Sequence, residues 1–520
     1  MGTERRKRIW IFAALLCCAA LIFAAVRHRA AEQQGGMTEG AAERGSAAGA
    51  AEDQLPEEAG SALTSEAGTA EAEDAFSAQD LLERSAELSS RYRNFGTGRR
   101  QKGSKKQRDS YGPGVPGGVR EPEPVQDDLV WIASDTHYYP PELTDYGSAF
   151  RARLDRDDGK DVKNIDRITD LWIDEVLRAR PATVVLTGDL VLDRETAGHR
   201  RLAEKLRRLT EDGIRVLVIP GNHDIGCDFW ASSYFGIHQK PVETPMRAEQ
   251  FLELYHEFGY DQASASDADS LSYLYKVDQK HWFLMLDSAI YEPVNRVAGR
   301  IKETTLRWME EILQAAEQEG AQVIPFAHHN LMDESRLYRT DCTLDNNHEV
   351  IAVLEKYQVP LWVSGHLHLQ RIRQYQPEPG AEKKDRITEI VSGCFSMYPF
   401  PYGELRLSEA EALDYQQRTV ALPEALREEG MDEFRGVIMR QIEAKVRGIP
   451  DYIKNNMAES YASLLGAYVA GEVVDETEFR SELGYRMMLR YLDGTGIMKN
   501  VEWMLADTKK DQRSLHLSAD

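Results

Sequence analysis

The chain has 520 residues, enough for two or three domains, and its hydrophobic content of 42% with 22 tyrosines permits a large core. A formal net charge of −23 argues against a nucleic-acid binder, since phosphate backbones select for clustered Lys and Arg, and against adhesion to anionic membranes through charge alone. The five cysteines, Cys17, Cys18, Cys227, Cys342 and Cys394, show neither a C-x-x-C metal pattern nor a disulfide framework, so they say little about compartment.

In chain order, Arg5, Arg6, Lys7 and Arg8 precede an uncharged apolar run over residues 9–26 that is just long enough to cross a bilayer. Arginine follows the run directly and no small-x-small cleavage site ends it, so the expectation is an uncleaved single-pass anchor over residues 1–30; the alternative is a cleaved signal peptide. The excess of positive charge before the span places the bulk of the chain outside the cytoplasm, at the cell membrane. Residues 31–124 read as a linker, acidic and poor in large apolar groups at first, then basic and rich in Gly and Pro, with one amphipathic helix expected over 76–90. Its basic stretch is either a contact for anionic cell-envelope polymer or lipid or a solvated spacer.

From residue 125 to about 422 strand-like apolar runs alternate with helical spacing, which predicts an α/β domain whose sheet is buried on both faces. Strands are expected at 128–134, 183–187, 214–220, 271–277, 281–288, 322–327, 359–364, 386–393, 403–408 and 415–422. Helices are expected at 164–180, 199–213, 304–320 and 348–358. An insertion after Asp224, roughly 225–270, carries a further helix at 247–259. From 423 to 510 apolar residues recur at helical spacing: Phe434, Ile438, Ile442 and Val446; Tyr461, Leu464, Leu465 and Tyr468; Phe479, Leu483, Met487 and Tyr491. Three or four amphipathic helices packed as a C-terminal α-helical bundle are predicted.

The strand ends carry the chemistry. D-T-H (Asp135, His137), G-D (Asp189), G-N-H-D (Asn222, His223, Asp224), H-H (His328, His329) and G-H-L-H (His366, His368) each follow an apolar run. Six of the 13 histidines stand at these points. Sites in open α/β sheets form at the carboxyl ends of the strands, so distant residues can converge there. Carboxylate, imidazole and amide donors without thiolate suit a pair of divalent cations such as Mn, Fe or Zn. A carboxylate can bridge such a pair, which can clamp a phosphoryl group and acidify a bound water.

In this order and at these places the motifs resemble those of the calcineurin-like metallophosphoesterases, over about residues 128–400. The resemblance implies a four-layer αββα sandwich and a two-metal site. Carried over by motif, Asp135, His137 and His368 hold one metal, Asn222, His328 and His366 the other, and Asp189 bridges them. His223 acts on the phosphate or leaving group and Asp224 orients it. In the family's His-x-Pro motif the first His is the ligand; here Asn330 replaces the proline, which keeps His329 in view beside His328. The overall plan, with its membrane attachment, insertion and helical C-terminus, is similar to bacterial cyclic-nucleotide phosphodiesterase-type enzymes. The expected activity is two-metal phosphodiester hydrolysis with a phosphoester substrate and no nucleic-acid polymer. A phosphomonoesterase or protein phosphatase of the same fold, and a tethered scaffold with an inactive domain, are the alternatives.

Overall fold

A computed structural model describes residues 124–226, 231–242, 245–375, 387–408 and 412–518. The expected anchor, the linker and its helix lie outside the described residues. Among the described residues no helix is long and apolar enough to cross a membrane.

The strands are β1 (Gln126–Ala133), β2 (Pro181–Leu186), β3 (Arg215–Val218), β4 (Ser232–Phe235), β5 (His238–Pro241), β6 (Ala265–Ser266), β7 (Tyr273–Lys276), β8 (His281–Leu286), β9 (Gln322–Ala327), β10 (Leu361–Ser364), β11 (Arg371–Gln374), β12 (Thr388–Val391), β13 (Pro401–Leu407), β14 (Leu413–Thr419) and β15 (Ser514–Leu517). The helices are α1 (Ser148–Leu154), α2 (Ile165–Ala179), α3 (Thr196–Glu211), α4 (Ala248–Tyr255), α5 (Glu303–Glu319), α6 (Asn347–Lys356), α7 (Glu424–Lys445), α8 (Asp451–Val469), α9 (Glu476–Ser481), α10 (Leu483–Leu492) and α11 (Gly496–Asp507).

Two large sheets form among the described residues, one ordered β15-β14-β13-β1-β2-β3 and one ordered β11-β12-β10-β9-β8-β7-β6, beside a two-stranded β4-β5 sheet. The motif-bearing strands pair in parallel, β1 with β2, β2 with β3, and β9 with β8 and β10, while β1 pairs antiparallel with β13 on its other side. Their side chains are buried on both faces, which requires a layer on each side. Val130, Ile132, Val185 and Leu217 of the first sheet meet Phe283, Ile324, Phe326 and Val363 of the second. On its outer face the first sheet packs Trp131, Val184 and Val216 against Ile168, Trp172 and Leu206 of α2 and α3. The second packs Trp282, Leu284 and Trp362 against Met309, Leu313 and Val350 of α5 and α6. Burial of each large apolar side chain contributes about 1.5–3 kcal/mol. The result is the expected αββα order, with the carboxyl ends of β1, β2, β3, β9 and β10 at one edge.

The C-terminal helices share a core of their own, in which Phe434, Ile438 and Ile442 of α7 meet Met457, Tyr461 and Tyr468 of α8. Leu367 and Leu369, the apolar partners in G-H-L-H-L, enter this core. The third predicted stripe is corrected. Glu482 is extended (ψ 145°) and splits it into α9 and α10, which turns a different face inward. Tyr485, Met488 and Leu492 are buried, whereas Leu483 is 56% exposed. Gly484 lies against α8, where a Cβ would stand 2.1 Å from the Asn456 carbonyl. The chain then returns: β15, absent from the sequence reading, pairs with β14 and closes the first sheet.

Candidate metal centre

Five of the predicted ligands sit where the chain leaves a strand in the left-handed region: Asp135 (φ 56°), His137 (41°), Asp189 (50°), His366 (67°) and His368 (57°). Each such non-glycine residue costs about 1–2 kcal/mol. Five together approach the whole net stability of a domain, about 5–15 kcal/mol. Strain concentrated on one edge of the fold marks a site whose geometry the surrounding structure imposes. Close approach is imposed too. A Cβ on Gly365 would stand 1.8 Å from Ser134 Oγ, so only glycine lets the β10 turn lie on the β1 turn.

Two sets of atoms converge. In the first, His137 Nε2 lies 3.0 Å from His368 Nε2 and 3.8 Å from Asp189 Oδ2, and His368 Nε2 lies 3.4 Å from Asp135 Oδ1. In the second, His328 Nε2 lies 3.2 Å from Asn222 Oδ1, 3.2 Å from His366 Nδ1 and 3.3 Å from Asp189 Oδ2. Asp189 Oδ2 belongs to both. Its other oxygen accepts the His223 backbone N–H at 2.8 Å.

The tautomers follow from the outer partners. His328 Nδ1 donates to the Thr187 carbonyl and His366 Nε2 to the Asp341 carbonyl, at 2.9 and 2.8 Å. The inward nitrogens, His328 Nε2 and His366 Nδ1, are then lone-pair acceptors in the neutral rings. They face the oxygens of Asn222 and Asp189, which are acceptors as well. Four converging acceptors require a cation. The same holds at the first set, where Asp135 Oδ1 is buried without a hydrogen-bond donor. The residues therefore fit two divalent ions. Burial lowers His328, but the carboxylates of Asp189 and Asp135 outweigh it and lift the imidazole to about 9.

His329 has a ring nitrogen within 4.8 Å of ligand atoms of His328 and His366, but it is bonded elsewhere. Its Nδ1 is bonded to Ser288 Oγ and its Nε2 to the Val297 carbonyl, both at 2.9 Å. His328 Nε2 is the nitrogen that faces Asn222 and Asp189.

His223 stands edge-on to His137, ring centroids 5.0 Å apart. Burial alone would depress it; the carboxylates of Asp189 and Asp193 reverse this and raise it above the usual imidazole value. The predicted orienter is corrected. His223 Nδ1 donates to the Leu192 carbonyl at 2.6 Å and to Asp193 Oδ1 at 3.2 Å, not to Asp224. Asp224 points back into its own turn, accepting the N–H of Gly221 at 2.7 Å and of Val191 at 3.1 Å. A carboxylate one residue after His223 on a tight turn meets backbone amides before it can reach the adjacent ring. Asp224→Ala strands two buried donors, at about 1–3 kcal/mol each. Burial, which pushes this carboxyl up to about 7, offsets some of that. A net loss of about 2 kcal/mol is expected in urea denaturation.

Three residues here escaped the sequence reading. Asp193, four residues past Asp189, had no periodic or motif signal. Asp158 accepts from His368 Nδ1 and sits in an acidic loop that reads as solvated. Cys394 follows β12; its Sγ lies within 4.8 Å of the ligand atoms of His137 and His368. It donates to the Asp135 carbonyl at 3.4 Å, and burial pushes the thiol up to about 11. Of the other candidates, Asp287 is buried and accepts from Tyr291 and the Leu271 and Ala289 amides, while His238 is exposed on β5.

Residues 129–370 match the family described as calcineurin-like phosphoesterase. The chain carries a calcineurin-like phosphoesterase domain. Among solved structures, a dimetal phosphatase from Danio rerio aligns with TM-score 0.40 at 14% identity, over 56% of this chain and 96% of its own. A purple acid phosphatase from yellow lupin (Lupinus luteus) seeds gives 0.37 at 13%, over 56% of this chain and 52% of its own. A putative 5'-nucleotidase from Staphylococcus aureus gives 0.34 at 13%, over 58% of each chain. No curated protein sequence matches the chain. The calcineurin-like phosphoesterase domain, with its Asp and His clusters, makes this a metal-dependent phosphoester hydrolase.

Proposed function

We propose that this phosphoesterase hydrolyses phosphodiesters, holding one divalent cation with Asp135, His137 and His368, a second with Asn222, His328 and His366, and both with Asp189. The observation that carries the two-cation reading is the position of Asp189 Oδ2, 3.3 Å from His328 Nε2 and 3.8 Å from His137 Nε2. Bound cations of the Mn, Fe or Zn type would neutralise the phosphoryl oxygens and lower the pKa of a water. The chain's own residues do the rest. Thr187 and Asp341 fix the lone pairs of His328 and His366. Asp193 and the Leu192 carbonyl hold the Nδ1 proton of the His223 imidazolium, so that its second proton, on Nε2, is the one passed to the departing oxygen.

Charge favours a diester. Among the described residues, three cations beside the site are already engaged: Lys160 by Asp158 at 2.8 Å, Arg153 by Asp193 at 3.0 Å, and Arg194 by the Asn222 carbonyl at 2.9 Å. A monoester dianion gains most from an unengaged arginine fork, whereas a diester monoanion is matched by two metals and His223. The plan is also similar to bacterial cyclic-nucleotide phosphodiesterase-type enzymes, and an N-terminal anchor over residues 9–26 would hold the domain outside the cytoplasm. After chelation and Mn reconstitution, kcat/KM for bis(p-nitrophenyl) phosphate is expected to exceed that for p-nitrophenyl phosphate by about tenfold or more, the worth of one charge-assisted hydrogen bond. The reverse order would make the enzyme a phosphomonoesterase.

A further inference from the structure

Between the D-T-H turn and α2, residues 153–160 cross the site as an acidic, basic and Gly-containing segment that no motif covers. Its ion pairs form one continuous chain. His368 Nδ1 donates to Asp158 Oδ2. Asp158 Oδ1 takes Lys160 Nζ at 2.8 Å, and Lys160 lies 3.7 Å from Asp157 Oδ1. Asp157 Oδ1 takes Arg153 Nη1 at 2.7 Å, Arg153 Nη2 reaches Asp193 Oδ2 at 3.0 Å, and Asp193 Oδ1 meets His223 Nδ1 at 3.2 Å. The two ends of the chain are an expected metal ligand and the expected proton donor.

The segment is itself braced by the C-terminal helices. Gly159 (φ 114°) lies against Phe434 of α7, where a Cβ would approach the ring to 3.0 Å. Arg151 pairs with Glu433, and Arg440 with Asp155 at 3.2 Å. The Asp161 N–H bonds the Ser396 carbonyl at 2.7 Å.

We propose that residues 153–160 are a positioning strap, braced by α7, in which Asp158 sets His368 for metal binding and Arg153 sets Asp193 behind His223. The inference rests on the two-cation reading of the site. Asp158 accepts the Nδ1 proton of His368 and so keeps Nε2 as the lone-pair nitrogen facing His137 and Asp135. An outer acceptor of this kind fixes ring orientation and raises ligand basicity, and its loss weakens metal binding about 10–100-fold. The strap also gives the C-terminal helices a function: they hold the segment that aligns both ends of the site.

The neighbouring Lys160 makes the test specific. In Asp158→Asn the ammonium captures the amide oxygen and turns the NH2 towards His368 Nδ1. A donor there drives the ring proton onto Nε2, the nitrogen that must bind metal. Asp158→Ala leaves only a gap that water fills, since the Asp158 side chain is 40% exposed. The near-isosteric Asn is therefore the more damaging change, the opposite of what a merely structural carboxylate predicts.

The experiment is Mn2+ titration of the full chain after chelation, with thermal unfolding as a control for folding. Wild type should show two binding steps. Asp158→Asn should weaken one step by about 10–100-fold and leave the other unchanged, with Asp158→Ala between the two. Arg153→Gln should keep both steps and lower kcat for alkyl leaving groups. Equal affinities in wild type and Asp158→Asn, Asn milder than Ala, or equal weakening of both steps would each overturn the strap while leaving the two-cation reading intact. A wild type without two steps would overturn both.

Discussion

Asp189→Asn is expected to remove turnover almost completely and to leave fewer than two metal ions per chain. The reason lies in how both carboxylate oxygens are used. One accepts the His223 N–H and the other faces His328 and His137. If the asparagine oxygen keeps the amide bond, its NH2 points at His328 and His137, where the proposed cations would be held. If the side chain turns over, the NH2 meets the His223 N–H and two donors collide. Neither rotamer supplies the negative charge that two cations share. The loss of kcat should reach the order of 10³-fold or more, beyond that of removing a ligand to one cation alone. Asn222→Ala is the comparison, since it removes one neutral ligand, and excess Mn should restore part of its activity. Inductively coupled plasma analysis beside kinetics separates the two. Near-normal turnover with two metals in Asp189→Asn would end the bridging assignment.

What could be read in the sequence and what could not follows from the range of the forces involved. The parallel strands are continuous apolar runs because each is buried on both faces, and such runs announce themselves; β1, β2, β8 and β9 fall within a few residues of their expected places. The candidate ligands can be picked out in the sequence because metal chemistry restricts residue types and each stands just after such a strand. The failures are tertiary. β15 is four residues of alternating partial exposure, formed only because β14 offers an edge. The hairpin of β4 and β5 is similarly short. The split of α9 from α10 depends on Gly484 meeting α8, a contact between residues 28 positions apart from Asn456 to Gly484. The G-N-H-D motif implies Asp224 as the orienter of His223, yet the carboxylate that meets the ring is Asp193, from the turn after β2. Asp158 and Asp193 were invisible for the same reason: a carboxylate's role is set by what lies across the crevice, and an acidic loop gives no periodic signal.

His223→Ala separates metal binding from proton transfer more sharply than any change of ligand. His223 lies beside the cluster rather than in it: its Nδ1 is taken by Leu192 and Asp193, and its backbone N–H by Asp189. The backbone bond survives truncation of the side chain, so both metals should remain and no metal concentration should restore turnover. A positioned acid contributes about 10²–10⁴-fold, and the loss should appear in kcat. Its size should depend on the leaving group, near the upper bound for alkoxides and small for a nitrophenolate, which departs without a proton. Asp193→Ala should show the same dependence at smaller amplitude, because it removes the acceptor that orients the ring while the Leu192 carbonyl still holds the Nδ1 proton. Asp224→Ala should lower stability without that dependence, since its carboxylate serves the turn and not the imidazole. The three variants measured on one series of diesters therefore assign three roles to neighbours in space. Loss of metal in His223→Ala would make the residue a ligand. An equal effect on good and poor leaving groups would make it a phosphate-positioning group, and Asp193 would then act on substrate alignment rather than on a proton.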